Sequence, residues 1–274
     1  MAGTLIKSWH NGRMKYFVPP ILAILITSGA WPSQNHQPMP PDAQPAFEVA
    51  TIRPSPPDVQ KSFISMGRGG GNLFSSSNHS VKDLIAFAYL LHPNQIVGGP
   101  AWAENERYDV TGKPDTPGLP NVAQFQVMMR SLLTDRFGLT FHRRKKELAV
   151  YTITTVDSGA KMPKSDNSAM LPVFGSNSPG VLAIRNMTMT SFAEYVQSRF
   201  LDRPVVDQTG LAGRYDFQLH WQPDLAAGVP TTPDAEPLPD IFTAFQQQLG
   251  LRLQATRAVA DTLVIDKVER PTAN

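Results

Sequence analysis

The feature that most constrains this chain is an internal duplication, because the second half of the sequence repeats motifs of the first half in the same order. The triplet Arg107-Tyr108-Asp109 recurs as Arg214-Tyr215-Asp216 at an offset of 107 residues. A helix-like segment that starts at Val81 recurs at Met189 at an offset of 108, and Gly138 recurs as Gly250 at an offset of 112. A repeat of this length predicts two similar folded units rather than a solenoid of short repeats.

Each repeat has the pattern of an α+β unit. The first helix is predicted from apolar residues at helical spacing, which are Val81, Leu84, Ile85 and Ala88 in one copy and Met189, Phe192, Ala193 and Val196 in the other. A second helix is predicted to end at Gly138 or Gly250. Two short strands should follow it, at 139–142 and 150–156 in the first copy and at 251–254 and 262–268 in the second. We therefore predict two tandem similar units, each with two helices packed on a small mixed β-sheet.

The N-terminus resembles a secretory signal peptide, with Lys7, Arg13 and Lys15 before an uncharged apolar stretch and small residues near Ala30. This predicts an exported, periplasmic or secreted protein, and an uncleaved N-terminal anchor is the alternative. The absence of cysteine excludes a lipoprotein box and disulfides. The predicted organisation is a signal peptide at 1–30, a Pro-rich tether at 31–46, a first repeat with an N-terminal strand and hairpin at 47–157, a linker at 158–179, a second repeat at 180–270 and a tail at 271–274.

The charge pattern disfavours nucleic acid as a partner, since the net charge of +2 gives no concentrated basic face. The dense basic run, His142 to Lys146, is matched by a nearly uncharged run in the second half, so we interpret it as a solvated turn. The glycine run at 67–71 lacks the Gly-Lys-Ser/Thr of a phosphate loop and is interpreted as a hairpin turn.

The sequence offers no catalytic constellation. It has no Gly-x-Ser-x-Gly and no His-Glu-x-x-His, and its histidines lack ligand spacing, so we predict no catalytic residue, no metal site and no cofactor. Candidate partner-surface residues are the charged members of the two triplets, Arg107, Asp109, Arg214 and Asp216. The competing interpretation is structural: the tyrosines pack inward while these charged groups bond turn backbone or each other. Asp207 is interpreted as a turn residue, and Trp102 and Trp221 are candidates for carbohydrate stacking.

Several strings resemble those of a family of exported proteins that is abundant in soil Acidobacteria and has no assigned activity. The strings are FEVATIRPS at 47–55, VGGPAW at 97–102, RYDV at 107–110, VVDQTGLAGRYD at 205–216 and LVIDKVERP at 263–271. The resemblance covers nearly the whole chain from Phe47 onward.

Each repeat is also similar to the short N-terminal domain of secretins and TonB-dependent receptors, through the order helix, RPVVD at 203–207, strand, helix and LGL at 249–251. That similarity implies a docking or signalling module of the bacterial envelope. We therefore expect a non-enzymatic exported module that binds an unknown envelope protein or ligand. An exported, peptidase-like hydrolase with a site dispersed along the sequence is the alternative.

Overall fold

Three β-sheets and five α-helices make up the described part of the chain, which is an α+β protein. The computed structural model describes residues 37–66, 72–166, 173–223 and 238–271, and these belong to one compact unit. The predicted signal peptide and the glycine run at 67–71 lie outside the described residues. None of the helices in the described ranges has both the length and the apolar character that a membrane span requires.

The strands form two antiparallel sheets, with orders β1-β5-β3-β2 and β10-β8-β7, and one mixed sheet with order β4-β11-β6-β9. In chain order they are β1 (Phe47–Pro54), β2 (Phe63–Met66), β3 (Phe74–Ser80), β4 (Ile96–Gly98), β5 (Arg107–Pro114), β6 (Thr140–Thr155), β7 (Val173–Ser178), β8 (Val181–Met187), β9 (Val205–Asp207), β10 (Tyr215–His220) and β11 (Leu251–Lys267). The antiparallel pairing of β2 with β3 confirms the two strands predicted on either side of the glycine run.

Four of the five α-helices in the described residues begin at a residue whose side chain caps the first turn. The helices are α1 (Val81–Tyr89), α2 (Trp102–Asn105), α3 (Val122–Phe137), α4 (Met189–Arg199) and α5 (Ile241–Ala244), the last continued by a π-helical turn, Phe245–Leu249. Ser80 and Asp83 form a reciprocal capping box at α1. Gly138 and Gly250 end the second helices in the left-handed conformation, which confirms their predicted role.

Two hydrophobic cores lie under the helices. The first joins α1 and α3 to the β1-β5-β3-β2 sheet, and the second joins α4 and the π-helical turn to the β10-β8-β7 sheet. The predicted apolar faces of α1 and α4 are buried in these cores. Helical periodicity therefore identified the buried side of both helices.

The mixed sheet connects the two halves of the sequence, which differs from the small sheet expected inside each unit. The first-half strand β4 pairs in parallel with the second-half strand β11, and β9 pairs in parallel with β6. The two long strands β6 and β11 pair antiparallel at the centre. Periodicity within one segment reports which face is buried and carries no signal for which distant strand completes a sheet.

The two strand pairs predicted after the second helices are wrong, because each is one long strand. β6 runs through the basic residues that were interpreted as a turn, and β11 runs through the equivalent region. The middle of each strand is exposed on both faces. Alternation is therefore lost there, although the main-chain ladder continues.

Three further expectations are corrected by packing. The predicted N-terminal strand is β1, but a register shift between Phe47 and Val49 leaves Val49 64% exposed, so a strict alternation that buries every second residue from Phe47 does not hold. Met39 lies in the predicted tether but is 3% exposed, and its N–H donates to the carbonyl of Leu119. Met162 lies in the predicted linker but is buried in the second core. Isolated methionines in Pro- and Ser-rich segments give no periodic signal, which is why both were missed.

Candidate binding surface

The first Arg-Tyr-Asp triplet lies at the start of β5 and is bonded within the fold. One carboxylate oxygen of Asp109 accepts hydrogen bonds from Ser55 Oγ at 2.6 Å, Ser77 Oγ at 3.0 Å and the N–H of Asn78 at 2.9 Å. Arg107 pairs with Asp83 at 2.7 Å. Burial and a hydrogen bond to Glu106 raise the pKa of Tyr108 to about 12. These contacts hold a turn and a helix start together.

The second triplet, at the start of β10, has corresponding contacts. Asp216 accepts from the N–H of Asn186 at 2.7 Å, and Arg214 donates to the carbonyl oxygen of Asn186 at 2.9 Å. Tyr215 is 4% exposed and its hydroxyl donates to the carbonyl oxygen of Ala212.

The asparagines bonded by Asp109 and Asp216 share an uncommon backbone conformation. Asn78 has φ 59° and Asn186 has φ 55°. This left-handed conformation is unfavourable for residues other than glycine, and asparagine tolerates it better than most. Each aspartate therefore stabilises a left-handed asparagine two residues before a helix N-cap, so the geometry gives these carboxylates a structural role.

The remaining sequence candidates are also used in packing or turns. Asp207 accepts from the N–H and hydroxyl of Thr209, which confirms that it is a turn residue. Trp221 is 5% exposed, and Trp102 is half-buried beneath the Arg270 guanidinium at 5.1 Å. Neither indole therefore offers the open face that stacking on a sugar requires.

The described side chains bring together no metal-binding cluster, since no group of three or more His, Cys, Asp or Glu residues could hold an ion there. His79 lies beside Ser76, with Nδ1 3.0 Å from the hydroxyl oxygen. Burial lowers the pKa of His79, against the opposing influence of Asp83. Ser76 is 1% exposed, so this pair does not present a nucleophile to solvent.

The long β6–β11 pair, which we call the central ribbon, is buried at both ends and exposed in the middle. Phe141 and Leu263 pack in the first core, whereas Ile153 and Leu253 pack in the second. Between these ends, residues 143–149 of β6 and 255–259 of β11 have exposed or half-exposed side chains. We call this stretch the open ribbon segment.

Four consecutive cations lie in the open ribbon segment: Arg143, Arg144, Lys145 and Lys146. None forms a salt bridge or side-chain hydrogen bond with another described residue. Arg143 lies near Tyr89, whose pKa is raised by burial and lowered in part by Arg130 and Arg143. All four cations are exposed on adjacent positions of one strand, so they concentrate positive charge in this segment, with two side chains on each face.

The centre of the open ribbon segment also has an apolar residue and an ion pair. Val259 is 61% exposed, opposite Glu147 in the register. Glu147 is paired with Arg257 at 2.7 Å between Nε and Oε1. The open ribbon segment thus combines one exposed aliphatic side chain, one ion pair and four cations that have no ion-pair partner among the described residues.

Comparison with known protein families identifies the chain through most of its length. The model of a family described as "Protein of unknown function (DUF3738)" matches residues 82–268. The chain belongs to this family. No curated protein and no solved structure matches the chain.

The DUF3738 region begins at the second residue of α1 and ends just after β11. It therefore includes the second helix and the long strand of each half, the short strands β4 and β9 that pair with the long strand of the other half, and the whole central ribbon. Strands β1, β2 and β3 precede it. The open ribbon segment is thus part of the DUF3738 region itself and not of a flanking addition.

The open ribbon segment of the DUF3738 region was not predicted from the sequence, because the run of cations was interpreted as a turn. A signal against that turn was available. Residues 139–156 contain no glycine, proline, asparagine or aspartate. Tight turns favour these residue types, so a continuous strand was the better interpretation.

Proposed function

We propose that this protein is an exported, non-enzymatic module of the bacterial envelope that docks a macromolecular partner on the open ribbon segment. The observation that carries the proposal is that this segment is exposed although both of its ends lie in hydrophobic cores. It combines four unpaired cations with Val259, which is 61% exposed. An exposed apolar surface with a polar rim marks a protein interaction site, and the charged rim contributes to partner selection through electrostatic complementarity.

The location is supported by the N-terminal sequence. Basic residues, an uncharged apolar stretch and small residues follow each other as in secretory signal peptides. A chain without cysteine needs no oxidising compartment and no thiol protection. The proposal includes a periplasmic or secreted location. The alternative is that an uncleaved N-terminal segment anchors the protein to the membrane.

We further propose that the chain arose as a tandem duplication of one α+β unit similar to the short N-terminal domain of secretins and TonB-dependent receptors. Matched details support this: Asp109 and Asp216 bond equivalent left-handed asparagines, and Gly138 and Gly250 end equivalent helices. The parallel pairs β4–β11 and β9–β6 are likewise equivalent in the two halves. Duplicated units of this kind serve docking more often than catalysis.

The docking proposal is tested by site-specific photocrosslinking in cells that produce the protein. A photoreactive residue at Val259 should yield a defined higher-mass adduct. The matched control is the same residue at Val49, which is 64% exposed on an edge strand outside the ribbon. Equal adducts from both positions, or no adduct from Val259, would reject docking at the open ribbon segment.

An exported hydrolase is the second candidate, and one cavity favours it. A shallow cavity of about 440 Å³ lies beside the π-helical turn and is lined by residues that include Asp157, Ser158, Lys161 and Arg252. Turns of π-helix are frequent at functional sites. Lys161, however, donates to the main-chain carbonyl of Gln247, and no histidine lines the cavity. Hydrolysis of general peptide or ester substrates that disappears in Asp157→Asn and Ser158→Ala would establish this function instead.

A further inference from the structure

We propose that the partner binds as an acidic extended segment of a protein that adds as a strand to the free edge of β6 in the open ribbon segment. This rests on the proposed docking function and specifies the chemistry and geometry of the partner. Three observations lead to it: the free edge, the direction of its main-chain groups and the placement of the four cations.

Among the described residues, pairing on the edge of β6 that faces away from β11 is confined to one end of the strand. β9 covers Tyr151, Thr152 and Ile153. Before Tyr151, none of the described residues pairs with β6 on that side, so 143–149 form an open edge. An extended segment can pair with such an edge through main-chain hydrogen bonds.

The main-chain groups that point to this edge can be assigned from the pairing with β9. The N–H of Tyr151 donates to Pro204, and the carbonyl of Ile153 accepts from Gln208. Odd-numbered residues of β6 therefore point their N–H and C=O groups towards this side. The register with β11 is unbroken from Thr155 to Phe141, so Arg143, Lys145 and Glu147 continue the same pattern. Their donors and acceptors are available to an added strand.

The cations lie on both faces of the ribbon beside this edge. Side chains alternate along a strand, so Arg143 and Lys145 project from one face whereas Arg144 and Lys146 project from the other. An added strand also presents alternate side chains to both faces. Acidic residues along an added segment would therefore meet cations on each side, which a planar membrane surface contacting one face cannot do.

The equivalent edge of β11 differs in two ways. Its outward carbonyl at Asp261 already accepts from the side chain of Gln95 at 2.9 Å. Residues 255–261 contain a single cation, Arg257, which is paired with Glu147. The acidic partner is therefore specific to β6 and is not bound twice.

Charged edge strands also prevent association between sheets. If the cations served that purpose alone, their removal would cause the protein to aggregate and would not affect the binding of an acidic peptide. The two roles therefore lead to different results in one experiment.

The probe is a short fluorescent peptide of repeated Glu-Glu-Val-Val, which places glutamates on both faces of an added strand. The measurement is fluorescence anisotropy with the full-length protein. We expect binding that weakens as salt is raised. The double variant Lys145→Ala/Lys146→Ala should bind about tenfold more weakly, which corresponds to about 1.4 kcal/mol. The matched control is Lys61→Ala/Lys164→Ala, which removes two exposed lysines outside the ribbon and should bind as wild type. Melting curves check that both variants fold.

Strand addition is tested with a second peptide in which the valines are replaced by proline, which cannot donate main-chain hydrogen bonds. This peptide should bind much more weakly. Equal binding of both peptides, equal loss in both double variants, or tighter binding to anionic lipid vesicles or duplex DNA than to the peptide would overturn the inference. An adduct at Val259 together with no peptide binding would reject the acidic partner and leave docking intact.

Discussion

At the scale of single residues, the aspartates of the repeated triplets have a structural role, because they accept hydrogen bonds from main-chain N–H groups. Asp109 and Asp216 each bond the N–H of a left-handed asparagine, so their recurrence is explained by a local backbone requirement. A buried N–H without a partner is unfavourable by about 1–3 kcal/mol. Residues that bond the main chain in this way are needed in both halves whether or not they contact a ligand or partner. Repetition alone is therefore weak support for a functional site.

Tyr215 is expected to act chiefly through its buried ring. Its side chain is 4% exposed in the second core, so Tyr215→Ala should destabilise the protein by about 3–5 kcal/mol. Tyr215→Phe removes only the hydroxyl bonded to Ala212 and should have a much smaller effect. Thermal melting of both variants checks this. A Tyr215→Ala protein that melts like wild type but loses its crosslinked adduct would instead make the triplet a functional site.

Asp109 should make stability depend on pH. Burial acts to raise the pKa of Asp109, but the hydrogen bonds from Ser55, Asn78 and Ser77 outweigh it and lower that pKa. A carboxyl with a lowered folded-state pKa contributes stability above its unfolded pKa, about 3.9, and loses that contribution as pH falls through the folded pKa. The free energy of unfolding of Asp109→Asn should therefore fall less steeply below about pH 4 than that of wild type.

Denaturant unfolding at a series of pH values measures this dependence. Asp58→Asn is the control, because Asp58 is exposed and has no described partner. Parallel pH curves for wild type and Asp109→Asn would show that the hydrogen bonds to Asp109 do not lower its pKa.

At the scale of secondary-structure elements, the sequence predicted the helices with a periodic apolar face but neither the short helix α2 nor the long strands. Capping at Ser80, the helix end at Gly138 and the buried faces of α1 and α4 followed from local spacing. Hydrophobic periodicity could not identify β6 as one strand, since its middle is exposed on both faces and its pairing is with β11; the lack of turn-forming residues was the remaining signal for a continuous strand. The candidate surface was missed for the same reason, because it exists only when the two strands are paired.

The two helix-ending glycines offer a matched comparison. A methyl group at Gly138 would meet the flexible side chain of Glu269 at 3.3 Å. At Gly250 it would overlap the main-chain carbonyl oxygen of Gly159. Gly138→Ala should therefore destabilise the protein by about 1–2 kcal/mol, the penalty of the left-handed backbone alone. Gly250→Ala should destabilise it considerably more.

Chemical denaturation of the two glycine variants measures the difference in unfolding free energy. Equal losses would mean that the segment around Gly159 moves aside without penalty, and that the close contact does not hold the second helix end in place.

At the scale of the whole molecule, the exchange of short strands makes the two halves interdependent. β4 leaves the first half to pair with β11, and β9 leaves the second half to pair with β6. Further contacts cross between the halves: Gln197 donates to the carbonyl of Leu90, and Asn94 donates to that of Asp202. Each half alone would therefore leave main-chain groups of a long strand unpaired.

Fragments test this interdependence. Residues 37–166 and 173–271, expressed separately, should show no cooperative thermal transition by circular dichroism. Expressed together, they should form a complex that melts cooperatively, as should a full chain cleaved once between residues 166 and 173. Cooperative melting of either fragment alone would show that the halves are independent domains.

The same strand exchange sets the order in which the chain can acquire its structure during synthesis. Gln95 donates to the carbonyl of Asp261, 166 residues later in the sequence, beside the β4–β11 pairing. Contacts of such long range form late and slowly, and an emerging chain holds its early segments without their partners until the last strand has left the ribosome. The mixed sheet therefore cannot be completed before the last strand is synthesised. If the protein is exported as we propose, this delay would postpone completion of the fold and leave time for a translocation channel to engage the chain.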